Sequence, residues 1–426
     1  MPRPARPRPL RPRLAGLRTG LLLAGLASTA TACAGLTGAE DAPAAHARPQ
    51  GAGGAPASPS PASPSPSDNR HAFTLLASGD VLPHDSVIKQ AHADAGGKGY
   101  DFRPMLSGVK PVVSRADLAI CHMETVYGDD DGPYTGYPAF VSPPQVATAL
   151  ATTGYDSCST ASNHSLDDGT AGVSRTLGAL DRAGIAHAGT GRSEAEAHRP
   201  AWLTAGGAKV AHLSYTYGTN DIPLPKDAPW TVRLIDEGRV VQDARAAREA
   251  GADVVVVSMH WGTEWQTAPD AQQRQLAQAL TASRTGERPD IDLVIGTHAH
   301  VPQAYEKVNG TWVIYGMGDQ IAGRMINYDD VHDPRGNEGT LGRFTFTPPA
   351  KPGARWEVTK AEFLPQWYDL AVNRVVDVDD AIAKGRDLTA VRDRLREVVL
   401  SRGAAKDGLV RGAEADVEGG GPLSEG

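Results

Sequence analysis

From residue 73 onward, short apolar runs alternate with longer polar stretches. The runs 73–77, 118–121, 210–213, 254–257, 293–295 and 313–315 are mostly continuous rather than alternating, the pattern of strands buried on both faces. Helical spacing lies between them. One such stretch runs from Gly172 through Leu180 toward Gly184, where a glycine can end a helix. Another covers 270–280 and sets Leu276 and Leu280 one turn apart. Strand and helix in alternation predict an α/β domain with a full core. Further on, Leu388, Val391, Leu395 and Val398 share one face of a predicted helix packed on that domain.

Most of these runs close on residues able to hold a metal ion. Asp80 follows the first run, Glu124 the second and His260 the fourth, while His298 and His300 follow the fifth within Gly-Thr-His-Ala-His. Asn163 and His164 come after a more polar stretch. No local structure explains ligands scattered from Asp80 to His300. A sheet that delivers its strand ends to one cleft does, because ligands of open α/β sheets collect at the carboxyl ends of the strands. Imidazoles mixed with carboxylates suit Zn²⁺, Mn²⁺ or iron better than Ca²⁺, which prefers oxygen alone. One or two such ions are expected, polarising a substrate oxygen and easing the ionisation of water. His46, His71, His187, His198 and His332 carry no such context and are expected to be solvated.

The ends of the chain add an address. Six arginines and no acid occupy the first eighteen residues, an apolar stretch follows, and small residues lead to Cys33. This is the layout of an export signal (residues 1–33), with Cys33 as the candidate lipidation site. Residues 34–70 are rich in Ala, Pro and Ser and cannot form a core, so they read as a tether reaching about 35 Å on average. The folded part is then extracytoplasmic, lipid-anchored or else secreted. The chain's formal charge is −8, and removing the arginine-rich leader makes the rest more acidic. With no basic run left, nucleic acid is excluded as a partner. Cys121 and Cys158 remain: either a disulfide, as the compartment permits, or two buried thiols. A domain over 71–365, a helical extension over 366–408 and a frayed tail over 409–426 complete the expected organisation.

The motifs Leu-Ala-Ser-Gly-Asp80, His-Met-Glu124, Asn163-His164-Ser-Leu-Asp167, His260-Trp-Gly-Thr-Glu264 and Gly-Thr-His298-Ala-His300 appear in order over most of the folded chain. Together they resemble the CapA-type poly-γ-glutamate capsule proteins. That resemblance implies a metallophosphoesterase-like four-layer β-sandwich flanked by helices. It assigns Asp80 to one metal, Glu124 to a bridge, Asn163, His260 and His298 to a second metal, and His300 to the first. His164 would protonate a leaving oxygen with Asp167 orienting it, and Glu264 would stand behind the ligands. Its partners would be an anionic cell-envelope polymer or a phosphoester, with polyglutamate synthesis or export components and a membrane reached through the lipid. Either a hydrolase or a non-catalytic polymer-binding or export subunit fits. Three positions depart from the pattern. Leu82 stands where a metal-binding His is required, with His84 two residues late and assigned to the outer shell. His122 replaces an Asn before the Met-Glu pair, and Asp319 replaces a late Asn and is expected only to line the cleft.

Overall fold

The computed structural model describes residues 70–351 and 353–412. The expected signal segment with Cys33, the expected tether up to residue 69, His46 and the residues beyond 412 lie outside the described residues.

The first sheet is built on β1 (Phe73–Val81), β2 (Leu118–Met123), β3 (Ser157–Ser159) and β4 (Ala186–Ala188). The second takes β5 (Ala201–Ala205), β6 (Ala208–Thr216), β7 (Val254–His260), β8 (Leu293–Thr297), β9 (Tyr305–Val308) and β10 (Thr311–Ile314). The chain then returns to the first sheet with β11 (Asp319–Ile321), β12 (Glu338–Thr347), β13 (Glu357–Asp369), β14 (Arg374–Asp377) and β15 (Leu409–Arg411). Strand order is β14-β13-β12-β1-β2-β3-β4 in the first sheet, with β11 beside β1 and β15 beside β13. In the second it is β9-β10-β8-β7-β6-β5. The strands that carry candidate ligands all pair in parallel: β1 with β2, β2 with β3, and β7 with β8.

The two sheets pack face to face. Phe73, Leu75 and Ala77 of β1 and Leu118 and Ile120 of β2 share one core with Val254, Val256, Leu293 and Ile295 of the second sheet. The intervening residues of the same runs face outward. Leu76, Ala119 and Cys121 pack beneath α1 (Asp85–Asp94), α2 (Gln145–Thr153) and α3 (Gly169–Ala183). Val255, Val257 and Val294 pack beneath α4 (Glu237–Glu249) and α5 (Ala271–Ala282). Continuous apolar runs are thus used on both faces, each buried Val, Leu or Ile contributing about 1.5–3 kcal/mol. The result is a helix–sheet–sheet–helix sandwich of four layers.

Local signals hold at the helix ends. Asp270 caps α5 through a reciprocal capping box with Gln273, and α3 stops at Gly184, whose φ is 77°. Two other glycines are required by close approach. A Cβ on Gly79 would lie 1.8 Å from the Gly318 carbonyl oxygen, and one on Gly296 would lie 2.1 Å from that of Tyr315. Each glycine lets a ligand-bearing strand end run against a neighbouring backbone.

Past residue 350 the structure departs from expectation. Strand β13 runs across residue 365, so the expected boundary there falls inside a strand. The segment beyond is no separate helical extension: β14 and β15 both hydrogen-bond to β13, and β15 occupies the first residues assigned to the tail. Helix α6 (Thr389–Leu400) does form, burying Leu395 and Val399 rather than Val398, because residues four apart share the stripe that faces the sheet. Cys121 and Cys158 are register partners on β2 and β3, with Cα atoms 4.5 Å apart, and form a disulfide.

Candidate metal centre

Strand register assembles the site before any loop is considered. In the first sheet Asp80 pairs with Asp319 of β11 on one side and His122 of β2 on the other, and His122 pairs with Ser159 of β3. Glu124 follows β2 directly. In the second sheet His260, the last residue of β7, pairs with Thr297 of β8 and Thr216 of β6. His298 and His300 follow β8, and Asn163 and His164 lie in the turn after β3. Two rows of polar side chains, one per sheet, therefore meet at one end of the sandwich.

The contacts are short and the groups almost wholly buried. His260 Nε2 donates to Asn163 Oδ1 at 2.8 Å and lies 3.8 Å from Glu124 Oε1, while its Nδ1 is 3.0 Å from Thr297 Oγ1. The His298 backbone N–H donates to Asp80 Oδ2 at 3.1 Å. His300 Nδ1 pairs with Asp319 Oδ1 at 3.0 Å. Three groupings bring ligand atoms within 4.8 Å of one another: Asp80 with His122 and His260, Glu124 with His260 and His298, and Asp80 with Glu124 and His300. His298 and His300 both adopt left-handed backbone, with φ of 95° and 57°. Such residues cost about 1–3 kcal/mol each and persist where their surroundings hold them. Here the Asp80 carboxylate holds the first of them.

Electrostatics without a cation are unfavourable throughout. Burial, with Asp319 beside it, pushes the Asp80 carboxyl up to about 8. Burial and Asp80 push Glu124 well above the usual carboxylate range, and burial raises Asp319 as well. Burial holds His260 and His298 well below the ordinary imidazole value and takes His122 down to about 3. His300 goes the other way: burial works against its charge, but Asp319 outweighs that and raises it. Moreover Asp80 Oδ1, both Glu124 oxygens, His122 Nε2, His298 Nδ1 and Asp319 Oδ2 are buried with no hydrogen-bond partner. Leaving one such group unmet costs about 1–3 kcal/mol. Five side chains turning unmet oxygens and nitrogens into the cluster is the donor set of a divalent cation, and the residues fit one.

His164 lies beside the cluster. Its Nδ1–H donates to Asp167 Oδ2 at 2.6 Å, and the same oxygen accepts the Phe140 backbone N–H at 2.7 Å. The Phe140 ring sits edge-on to His164 on one side and to His84 on the other.

The structure thus brings Asp80, Glu124, Asn163, His260, His298 and His300 together and sets the His164–Asp167 pair next to them. The charge of half-buried Glu264 acts on Glu124, His300 and Tyr328. His84 stays outside the ligand groupings: its Nδ1 lies between the Leu82 carbonyl oxygen at 3.0 Å and the Gly323 N–H at 3.1 Å, and burial lowers it to about 4. Asp319 does more than line the cleft. Parallel pairing of β11 with β1 buries it directly beside Asp80, where it holds His300. His187 is not solvated either, since its side chain is buried against Asp181, and His332 is half-buried, with a buried Nε2.

Sequence reasoning missed three neighbours. His122 could have been found from strand alternation, because it shares a face with Glu124 two residues on. Tyr217 lies against His298 with ring centroids 4.4 Å apart and planes tilted by 40°, and it is pushed up to about 12 by burial and Glu264. Asn220 accepts from Asn163 Nδ2 at 3.1 Å. The last two sit in the loop after β6 and carried no signal.

The family of bacterial capsule synthesis proteins, PGA_cap, matches residues 74–324. The PGA biosynthesis protein CapA of Bacillus subtilis is 30% identical over 194 residues, covering 44% of this chain and 49% of that protein. The capsule biosynthesis protein CapA of Bacillus anthracis is 25% identical over 180 residues, covering 42% of each. The chain spans about half the length of these curated relatives or less. Among solved structures, the calcineurin-like phosphoesterase YfkN of Bacillus subtilis aligns with 77% of this chain and 98% of its own, at 14% identity and a TM-score of 0.40. On the match across 74–324, which takes in every strand that carries a ligand, the chain belongs to the PGA_cap family of bacterial capsule synthesis proteins.

Proposed function

We propose that the protein is an exported, lipid-anchored, metal-dependent hydrolase of the phosphoesterase kind, acting on an anionic cell-envelope polymer or a phosphoester in poly-γ-glutamate capsule synthesis. Family membership and the relatives' role in capsule biosynthesis support the setting. The observation that carries catalysis is the His164–Asp167 pair beside the ligand cluster. Gripping an anionic polymer needs a cation and no proton donor. With Nδ1–H committed to Asp167, a protonated His164 carries its transferable proton on Nε2, and Asp167 orients the imidazole while the Phe140 N–H and ring hold both groups in place. One or two ions of the Zn, Mn or Fe class would be held by Asp80, Glu124, Asn163, His260, His298 and His300. When bound they supply Lewis acidity and neutralise charge on a substrate oxygen.

The test is turnover by the metal-loaded full chain on a chromogenic phosphodiester and on poly-γ-glutamate, followed by chain length. His164→Ala should lower kcat by about 100-fold or more while leaving the metal content unchanged. Equal turnover in the variant removes His164 from the role. Polymer binding with no turnover in the wild type favours a binding or export subunit instead.

Anchoring rests on the arginine-rich leader, the apolar stretch and Cys33. Cys33→Ala should shift the protein from the membrane fraction to the medium. A variant that still incorporates labelled fatty acid would contradict lipidation at that residue.

A further inference from the structure

We propose that His122 Nε2 is a ligand of the ion held by Asp80, supplying from β2 the imidazole that Leu82 cannot. The inference rests on the metal reading above and adds a residue to the ligands named under the proposed function.

Position places His122 correctly. Leu118 and Ile120 of β2 point into the inter-sheet core, so alternation turns His122 to the same side, at the end where the ligands gather. It is the register partner of Asp80. Its Nε2 lies 3.6 Å from Asp80 Oδ1, too far for a hydrogen bond, and both atoms are buried without a partner. With Asp80 and His260 it forms one of the three groupings whose ligand atoms lie within 4.8 Å.

Ser159 Oγ lies 2.7 Å from His122 Nδ1 and 3.3 Å from the Cys121 carbonyl oxygen. When its proton goes to that carbonyl, the hydroxyl accepts from His122 Nδ1–H. That leaves the Nε2 lone pair free toward Asp80, the arrangement by which a hydrogen bond to one imidazole nitrogen prepares the other for a metal. Ser159 is then the positioning residue.

A bland alternative, a histidine serving only the core, has a clear example in the same fold. His212 is equally buried, yet its Nδ1 and Nε2 meet Ser157 Oγ and Ser258 Oγ, each at 2.9 Å. His212 is satisfied and His122 is not. The neighbouring alternatives fail as well. Leu82 is packed with Phe140, Ala322 and Met325, and His84 belongs to none of the ligand groupings.

The experiment titrates the metal-free full chain with Co²⁺, reading bound equivalents, affinity and the visible spectrum, for wild type, His122→Asn and His122→Gln. Loss of one equivalent, or at least about tenfold weaker binding with a changed spectrum, is expected in both variants. Unchanged stoichiometry, affinity and spectrum would overturn the assignment while leaving the metal reading intact. A wild type that binds no Co²⁺ would overturn both. Should the variants fail to fold, a cobalt-loaded wild-type crystal decides by anomalous scattering. An ion within about 2.3 Å of His122 Nε2 supports the assignment, and an ion at Asp80 without that contact rejects it.

Discussion

Removing divalent ions with a strong chelator is expected to lower the thermal midpoint by roughly 5–10 °C, and by more at pH 8 than at pH 5. The first part follows from mass action. An ion present at about a thousand times its Kd stabilises the native state by about 4 kcal/mol, and 1 kcal/mol is worth about 2 °C or slightly less in a chain of this size. The pH dependence follows from Asp80. In the unfolded chain its carboxyl ionises near 3.8, whereas in the metal-free fold it keeps its proton to about 8. Between those values the unfolded state binds fewer protons, so the stability of the metal-free protein falls as pH rises, by up to about 1.4 kcal/mol per unit for one such group. Glu124 acts in the same direction. A bound cation favours both ionised carboxylates and cancels the loss. Differential scanning with and without chelator at the two pH values checks this. A midpoint indifferent to chelator, or a larger effect at pH 5, would count against a metal centre at these residues.

Glu124→Gln is expected to abolish metal binding and at the same time to raise the midpoint of the metal-free protein at pH 8. Glu124 is the side chain with both oxygens unpartnered, and it enters two of the three ligand groupings, once with His260 and His298 and once with Asp80 and His300. A carboxylate shared in that way serves both positions, so its loss should empty both and reduce any phosphoester turnover by about 100-fold or more. The amide is nearly isosteric and carries no ionisable proton, so it removes one destabilising carboxyl from the metal-free fold. Opposite signs for binding and for metal-free stability are hard to obtain from general damage, which lowers both. Elemental analysis and thermal unfolding of the variant read the two signs. Retained metal, or a lower metal-free midpoint, would remove Glu124 from the shared position.

How far the site could be read in advance depended on what each residue's neighbours advertised. Asp80, His260, His298 and His300 close or follow apolar runs, so their position at strand ends was visible from hydropathy alone. Asn163 follows a three-residue strand, Ser157–Ser159, too short for its apolar content to stand out. His122 sits inside a strand rather than past its end, and only alternation against Glu124 reveals its direction. Asp319 was undervalued because its strand has three residues and arrives late in the chain. Tyr217 and Asn220 belong to a connecting segment with no periodicity. The C-terminal boundary failed for a different reason: β13 is long and partly polar toward solvent, so its pairing partners β14 and β15 could not be assigned to it from pattern.

By itself the sequence determined the α/β class, the strands with their inward and outward faces, and the chemical character of the site, a set of imidazoles and carboxylates at strand ends. These are local or periodic properties, decided by which residues can be buried along a strand and which must not be. Only the tertiary structure decided how the strands stand beside one another, and register is a long-range property. It places Asp319, Asp80, His122 and Ser159 in one row across four strands, sets Asn163 against His260, and pairs Cys121 with Cys158. The same pairing leaves His122 Nε2 and the Glu124 oxygens buried without partners. No periodicity along the chain encodes that shortage of hydrogen bonds, because it exists only once both sheets have closed over the site.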